Sequence, residues 1–218
     1  MAGPTFDPVL WQRARDLSAF VLAGGRSTRM GRDKAFLDLA GRTLLDRALE
    51  TCRPLCPTVT IVGPQEKFAA CGATVEDIYP NRGPLGGIHA ALSHSVTSHN
   101  LVLGVDLPFV TIGFLRYLVE QAWASGADVT VPRVGGGFHP VCAVYHRRFR
   151  DVAQAALLRG VNKIDALFSQ VSRRILEEPE LSRFALGARM FENLNTSEDL
   201  ERAECWLAEQ KRLAEREK

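Results

Sequence analysis

A chain of 218 residues, 46% hydrophobic and 24% charged, is long enough to bury its own core and has the composition of a globular protein. Its formal net charge of +2 creates no global field toward nucleic acid or an acidic membrane surface, so any anion recognition is local. Cysteines at 52, 56, 71, 142 and 205 form no CxxC pair, residues 1–17 hold no continuous apolar stretch of a signal peptide, and no run nears the ~20 apolar residues of a membrane helix; a cytoplasmic protein without disulfide framework or structural zinc is expected.

Asp7 as N-cap and Pro8 at the first helical position predict a short amphipathic helix over 7–17, an N-terminal extension to a single domain over 18–218. Ala19-Phe20-Val21-Leu22 is an apolar run that passes into a loop with glycines at 24, 25 and 31, as a buried strand does where it stops at a sheet edge. The same loop carries Arg26, Arg29, Arg32 and Lys34. Glycine permits the close approach and turns that let backbone N–H groups cradle an anion, so the loop reads as a phosphate site. Next come a brief extended segment at Phe36 to Leu39, a turn at Gly41, and a helix with Leu44, Leu45, Ala48, Leu49 and Cys52 on one face. Thr58 to Val62 is β-branched and strand-like, a polar helix is expected near 65–71, and Ala73 to Glu76 forms a short strand ending at Asp77. YPNRGPLGG (79–87) carries too much proline and glycine for regular structure, with helical character resuming at Ile88. Leu101 to Val105 is a second apolar strand, stopping at Asp106; a helix with Phe114, Leu115, Leu118, Val119 and Ala122 inward and a strand over Asp128 to Pro132 follow. Beyond Gly135 come an extended segment, helices near 147–159 and 162–169, a strand at Arg174 to Leu176, a strand holding Asn193 and Asn195, and a last helix with Thr196 as N-cap and Asp199 completing an imperfect capping box.

Strands alternating with helices predict an α/β fold, three layers in a Rossmann-like arrangement with a mostly parallel central sheet. Ligands of such sheets sit beyond the carboxyl ends of the strands, here the loops beginning at Ala23, Gly63, Asp77 and Asp106. The glycine loop is neither Walker A nor GxGxxG nor GxSxG. It offers backbone donors with Lys34 as a compact point charge and Arg29 as a bidentate fork, which suits a polyphosphate. Asp106 at a strand end is placed to hold Mg²⁺, which binds one or two carboxylates plus substrate phosphates; it is equally an ordinary turn former before proline. Asp77 with glycines 83, 86 and 87 is a nucleoside-contacting edge or a turn, and Asn193 with Asn195 present amides to one side or cap a helix. The histidines at 89, 94, 99, 139 and 146 lack HExxH spacing.

Taken in order, LAGGRSTRMGRDK, GPLGG, VDLP, the His139-Pro140 pair and FENLNTSEDL resemble the motifs of molybdenum cofactor guanylyltransferases, over roughly residues 18 to 207. The resemblance implies a nucleotidyltransferase fold and transfer of GMP from Mg·GTP to molybdopterin-type molybdenum cofactor, with release of pyrophosphate. By position it implies that Leu22, Ala23 and Gly24 meet the guanine nucleotide by backbone, that Lys34 binds its phosphates, that Asp77 lies at the nucleoside, and that Asp106 ligates Mg²⁺; Gly25 and Arg29 of the same loop join them as nucleotide- and phosphate-binding candidates. It also implies that Asn193 and Asn195 orient the acceptor or the reacting phosphate, with residues 135–195 forming the acceptor-facing part. GTP and the molybdenum cofactor are the implied partners, with cofactor-delivery proteins or molybdoenzymes beyond them and neither nucleic acid nor membrane. Two positions depart from the pattern: Gly63 stands where asparagine is frequent, and Asn162-Lys163 where an arginine is common. The rivals are a cytidylyltransferase or a sugar- or isoprenoid-phosphate nucleotidyltransferase of the same fold, and a non-catalytic GTP-binding cofactor chaperone.

Overall fold

The computed structural model describes residues 15–25 and 33–216. The helix expected over 7–17 lies outside the described residues up to 14, and Leu17 already belongs to the first strand. In chain order the strands are β1 (Leu17–Leu22), β2 (Thr58–Val62), β3 (Thr74–Val75), β4 (His99–Gly104), β5 (Val129–Val134), β6 (Gly137–Phe138), β7 (Cys142–His146) and β8 (Arg173–Leu176). The helices are α1 (Leu44–Cys52), α2 (Gln65–Phe68), α3 (Pro84–His94), α4 (Ile112–Ser125), α5 (Phe149–Leu158), α6 (Glu178–Leu181) and α7 (Ser197–Arg216), with 3-10 turns at Lys34–Phe36, Ile164–Gln170 and Gly187–Phe191.

The strands form one sheet in the order β3-β2-β1-β4-β7-β5, with β8 also on β5 and β6 in a hairpin with it. All neighbours among β1 to β4 pair in parallel, as does β8 with β5. β7 is antiparallel to both β4 and β5, and β6 to β5, so the sheet is mixed but mostly parallel. Strand alternation sends side chains to two separate cores. Leu17, Ala19 and Val21 of β1, with Leu101 and Leu103 of β4, face a cluster shared with α1 and α4. Val102 of β4 and Tyr145 of β7 face a cluster shared with α3 and α5, and Phe20 packs on Ala90 and Ala91 of α3. Both faces are covered, which is why the strands read as continuous apolar runs.

Two expectations are corrected. α3 begins at Pro84, taking in Pro84-Leu85-Gly86-Gly87 where irregular chain was expected. Proline at the first helical position lacks an N–H that would have no partner there, and the buried glycines let the helix approach its neighbours. Asn193 and Asn195 lie in irregular chain and not on a strand: between them the Leu194 N–H donates to Asp106 O at 3.0 Å, a bond to a loop that makes no ladder. The capping box at α7 is complete: Asp199 N–H donates to Thr196 Oγ1 at 3.1 Å and the Asp199 carboxylate accepts from Thr196 N–H at 2.9 Å.

Candidate active site

The ends of β1, β2, β3 and β4 are stitched together as they leave the sheet: Ala23 N–H donates to Val62 O (3.0 Å), Gly63 N–H to Val75 O (3.0 Å) and Val105 N–H to Leu22 O (3.1 Å). The exits of β1 and β2 run so close that a β-carbon on Gly24 would lie 3.3 Å from Gly63 Cα. Gly25, by contrast, has none of the described residues within 4 Å of where its β-carbon would stand. Arg29, with Arg26 and Arg32, lies outside the described residues.

Lys34 emerges on the 3-10 turn that Asp33 caps, the Ala35 N–H donating to Asp33 Oδ1 at 3.0 Å. Its ammonium donates to Asn195 Oδ1 at 2.5 Å and stands 3.7 Å from the Asp106 carboxylate, although 161 positions separate Lys34 from Asn195. The Lys34 and Asp106 side chains are 20% and 27% exposed, so the pair is sheltered while remaining open to a ligand. Gly104 supplies the room: a β-carbon there would stand 2.8 Å from Asp106 Oδ1. Asn195 is fixed in turn by its N–H to the Asp199 carboxylate (2.8 Å), a bond that, ahead of the others Asp199 makes, holds its carboxyl below the usual range. Leu194 is buried at 3% exposure, so its neighbours Asn193 and Asn195 are both turned outward. Asn195 alone of the two meets Lys34.

Asp77 follows β3 and accepts from the Tyr79 N–H at 2.9 Å. A β-carbon on Gly86 would stand 2.6 Å from its carboxylate, so the glycine of α3 is a seat for this group. Burial there raises the Asp77 pKa, and the Tyr79 N–H opposes the shift only in part. His139 reaches the same edge because β7 is antiparallel: its start, Cys142, sits beside Leu103 near the end of β4. The His139 ring packs 4.5 Å from that of Phe191, beside the asparagine segment, and burial lowers its pKa despite the opposing Asp165.

A second group of residues at this edge was missed in the sequence. Phe68 of α2 fills the space over Gly63, where a β-carbon would come within 2.6 Å of its ring. Phe36 stacks on Phe68 (centroids 5.7 Å apart), and Lys67 lies 4.9 Å from the Phe68 centroid while pairing with Asp33. No local pattern marks these residues, since the partners come from different segments. The departure at Gly63 thus has a packing reason. Asn162 and Lys163 are exposed before the turn at Ile164. Concavity alone does not find the site: a cavity of about 300 Å³ lined by Ser98, His146, Arg147, Arg148, Arg150 and Asp151 sits at the amino end of β4, opposite Asp106.

A family model described as a MobA-like NTP transferase domain matches residues 19–175. The chain is 32% identical over 192 residues to the molybdenum cofactor guanylyltransferase of Desulfosudis oleivorans, covering 87% of this chain and 95% of that one. The crystal structure of molybdopterin-guanine dinucleotide biosynthesis protein A from Archaeoglobus fulgidus superposes with a TM-score of 0.78 at 28% identity, covering 88% of this chain and 99% of that one. The 2-C-methyl-D-erythritol 4-phosphate cytidylyltransferase of Thermus thermophilus, at 19% identity and TM-score 0.63 over 87% of this chain and 98% of that one, shares the fold.

Proposed function

The chain belongs to the MobA-like NTP transferase family, and from that premise we propose that it transfers GMP from GTP to a molybdopterin-type molybdenum cofactor, giving the guanine dinucleotide form and pyrophosphate. The observation that carries the reading is the meeting of Lys34, Asp106 and Asn195 at the carboxyl edge of the sheet, from three distant parts of the chain. A cation, a carboxylate and an amide at strand ends suit the transfer of a charged phosphoryl group better than any covalent intermediate.

The donor set fits Mg²⁺. Asp106 is a single hard carboxylate, and among the described residues no group of three His, Cys, Asp or Glu builds an all-protein cage, so the remaining ligands would be phosphates and water. Bound there, Mg²⁺ would neutralise charge on the triphosphate. The chain's own residues do the rest. The acceptor's terminal phosphate attacks the α-phosphorus in line with the departing pyrophosphate; it is anionic near neutral pH and needs no strong general base. Lys34 offsets the negative charge spread over the phosphoryl oxygens, and Asn195 holds its ammonium in place. Arg29 would add a bidentate contact. Leu22, Ala23, Gly24 and Gly25 offer backbone to the guanine nucleotide, and Asp77 lies toward the nucleoside. Asn193, with residues 135–195, faces the acceptor. Because the product is itself a cofactor, its recipients are proteins: delivery proteins or molybdoenzymes. No helix among the described residues is long and apolar enough to cross a membrane.

Incubating the protein with molybdenum cofactor and each nucleoside triphosphate tests the reading. Guanine dinucleotide cofactor and pyrophosphate are expected. A cytosine dinucleotide would transfer the chain to the sister activity, and GTP binding without pyrophosphate release would make it a cofactor chaperone.

A further inference from the structure

The group around Gly63 is more than filler for a missing side chain. Lys34 acts from a 3-10 turn of three residues, too short to hold a long side chain in one place by itself. Besides the contacts Lys34 itself makes and the buried Ala35, two ties among the described residues run from that turn and its cap to α2. One is apolar: the Phe36 ring on the wholly buried Phe68 ring, which in turn occupies the space over Gly63 at the end of β2. The other is ionic: the Asp33 carboxylate with the Lys67 ammonium, their side chains 24% and 28% exposed. Asp33 does two things at once. One carboxylate oxygen, Oδ1, caps the turn through the Ala35 N–H, while the other, Oδ2, takes Lys67, so the ion pair pulls on the backbone that carries Lys34. Lys67 also lies over the Phe68 ring at 4.9 Å and 6.0 Å from that of Phe36, which makes it the point where the two ties meet.

We propose that Lys67 is a positioning residue: through Asp33 it fixes the turn from which Lys34 reaches Asp106 and Asn195, and so sets how well the site stabilises the nucleotide's phosphates. The proposal rests on the guanylyl-transfer reading above. Lys67 need touch neither substrate. Its loss would leave a sheltered carboxylate without its cation and free the turn to shift, and displacements of about 1 Å at a reacting centre can cost up to ~10²-fold in rate.

The test uses the full-length chain with GTP, Mg²⁺ and molybdenum cofactor. Lys67→Met keeps the apolar contact with both rings and removes the charge; Asp33→Asn keeps the cap and removes the charge. Each is expected to lower kcat by on the order of tenfold with a smaller rise in the KM for GTP, because Lys34 then meets the developing charge out of place. Lys67→Arg is expected to restore most of the rate. The double variant is expected to be no worse than either single one, since both break one link. Wild-type kinetics in Lys67→Met, failure of arginine to rescue, or additive losses would overturn the proposal. Melting temperatures measured alongside distinguish a loosened turn from a protein that no longer folds: a fall in rate accounted for by unfolded protein also overturns it. Wild-type protein that makes no dinucleotide would overturn the guanylyl-transfer reading, and this inference with it.

Discussion

At the scale of single residues, the site is a set of small vacancies and the charged groups seated in them. Gly104 leaves room for the Asp106 carboxylate and Gly86 for that of Asp77, so a glycine inside an apolar strand and one in a stretch that reads as irregular chain are both cradles in the fold. Asp106→Ala is expected to reduce turnover by ~10²-fold or more, with a melting temperature close to wild type, because a partly exposed carboxylate adds little to stability. Pyrophosphate release at the normal rate would show that Asp106 is not in the machinery. Lys34→Ala should weaken GTP binding by roughly tenfold or more in calorimetry, the usual scale for a charge-assisted contact. The raised pKa of Asp77 has a consequence of defined sign. The folded protein keeps the Asp77 proton at pH values where the unfolded chain has lost it, so stability falls as pH rises from the ordinary carboxylate value, about 3.9, through the raised one. Asp77→Asn, which retains an acceptor for the Tyr79 N–H, should flatten that part of the profile; melting curves from acid to neutral pH that run parallel for both proteins would refute the burial argument.

Elements place these residues by their ends. α7 begins with a reciprocal cap between Thr196 and Asp199, and the same Asp199 carboxylate takes the Asn195 N–H, so the helix start and the Lys34 partner share one anchor. Thr196→Ala is expected to cost about 1 kcal/mol, a drop of roughly 2–4 °C in melting temperature, with turnover largely kept. Asp199→Ala should lower turnover as well, because it frees Asn195. Equal turnover in the two variants would break the connection drawn here. The capping signature was legible from four residues of sequence, since it depends on neighbours in the chain. The start of α3 was not: the proline and glycine content of GPLGG suggests a loop, and only packing against Asp77 and Leu22 shows that the glycines serve a helix.

For the whole molecule, one sheet edge gathers everything. Occupation of that edge should stabilise the fold by mass action: at 100-fold over Kd, Mg·GTP is expected to add about 2.7 kcal/mol, or roughly 5–10 °C for a chain of this size. A thermal shift with CTP and none with GTP would argue against guanine selectivity. The core beneath is less forgiving; Phe114→Ala, in the α4 layer where the side chain is fully buried, should cost ~3–5 kcal/mol by denaturant titration. By itself the sequence determined the strand and helix alternation, the strand-end positions of Ala23, Asp77 and Asp106, and the ordered motifs of the family, because each rests on periodicity or spacing within a short stretch. Only the tertiary structure decided that β7 runs antiparallel and brings His139 to the site edge, that Asn195 meets Lys34, and that Lys67, Phe36 and Phe68 stand around Gly63. Those contacts join segments far apart in the chain. What selects them is how the packed elements bring those segments together, by burial for Phe68 and by charge and hydrogen bonding for Lys34, Lys67 and Asn195, which leaves no mark on any one segment.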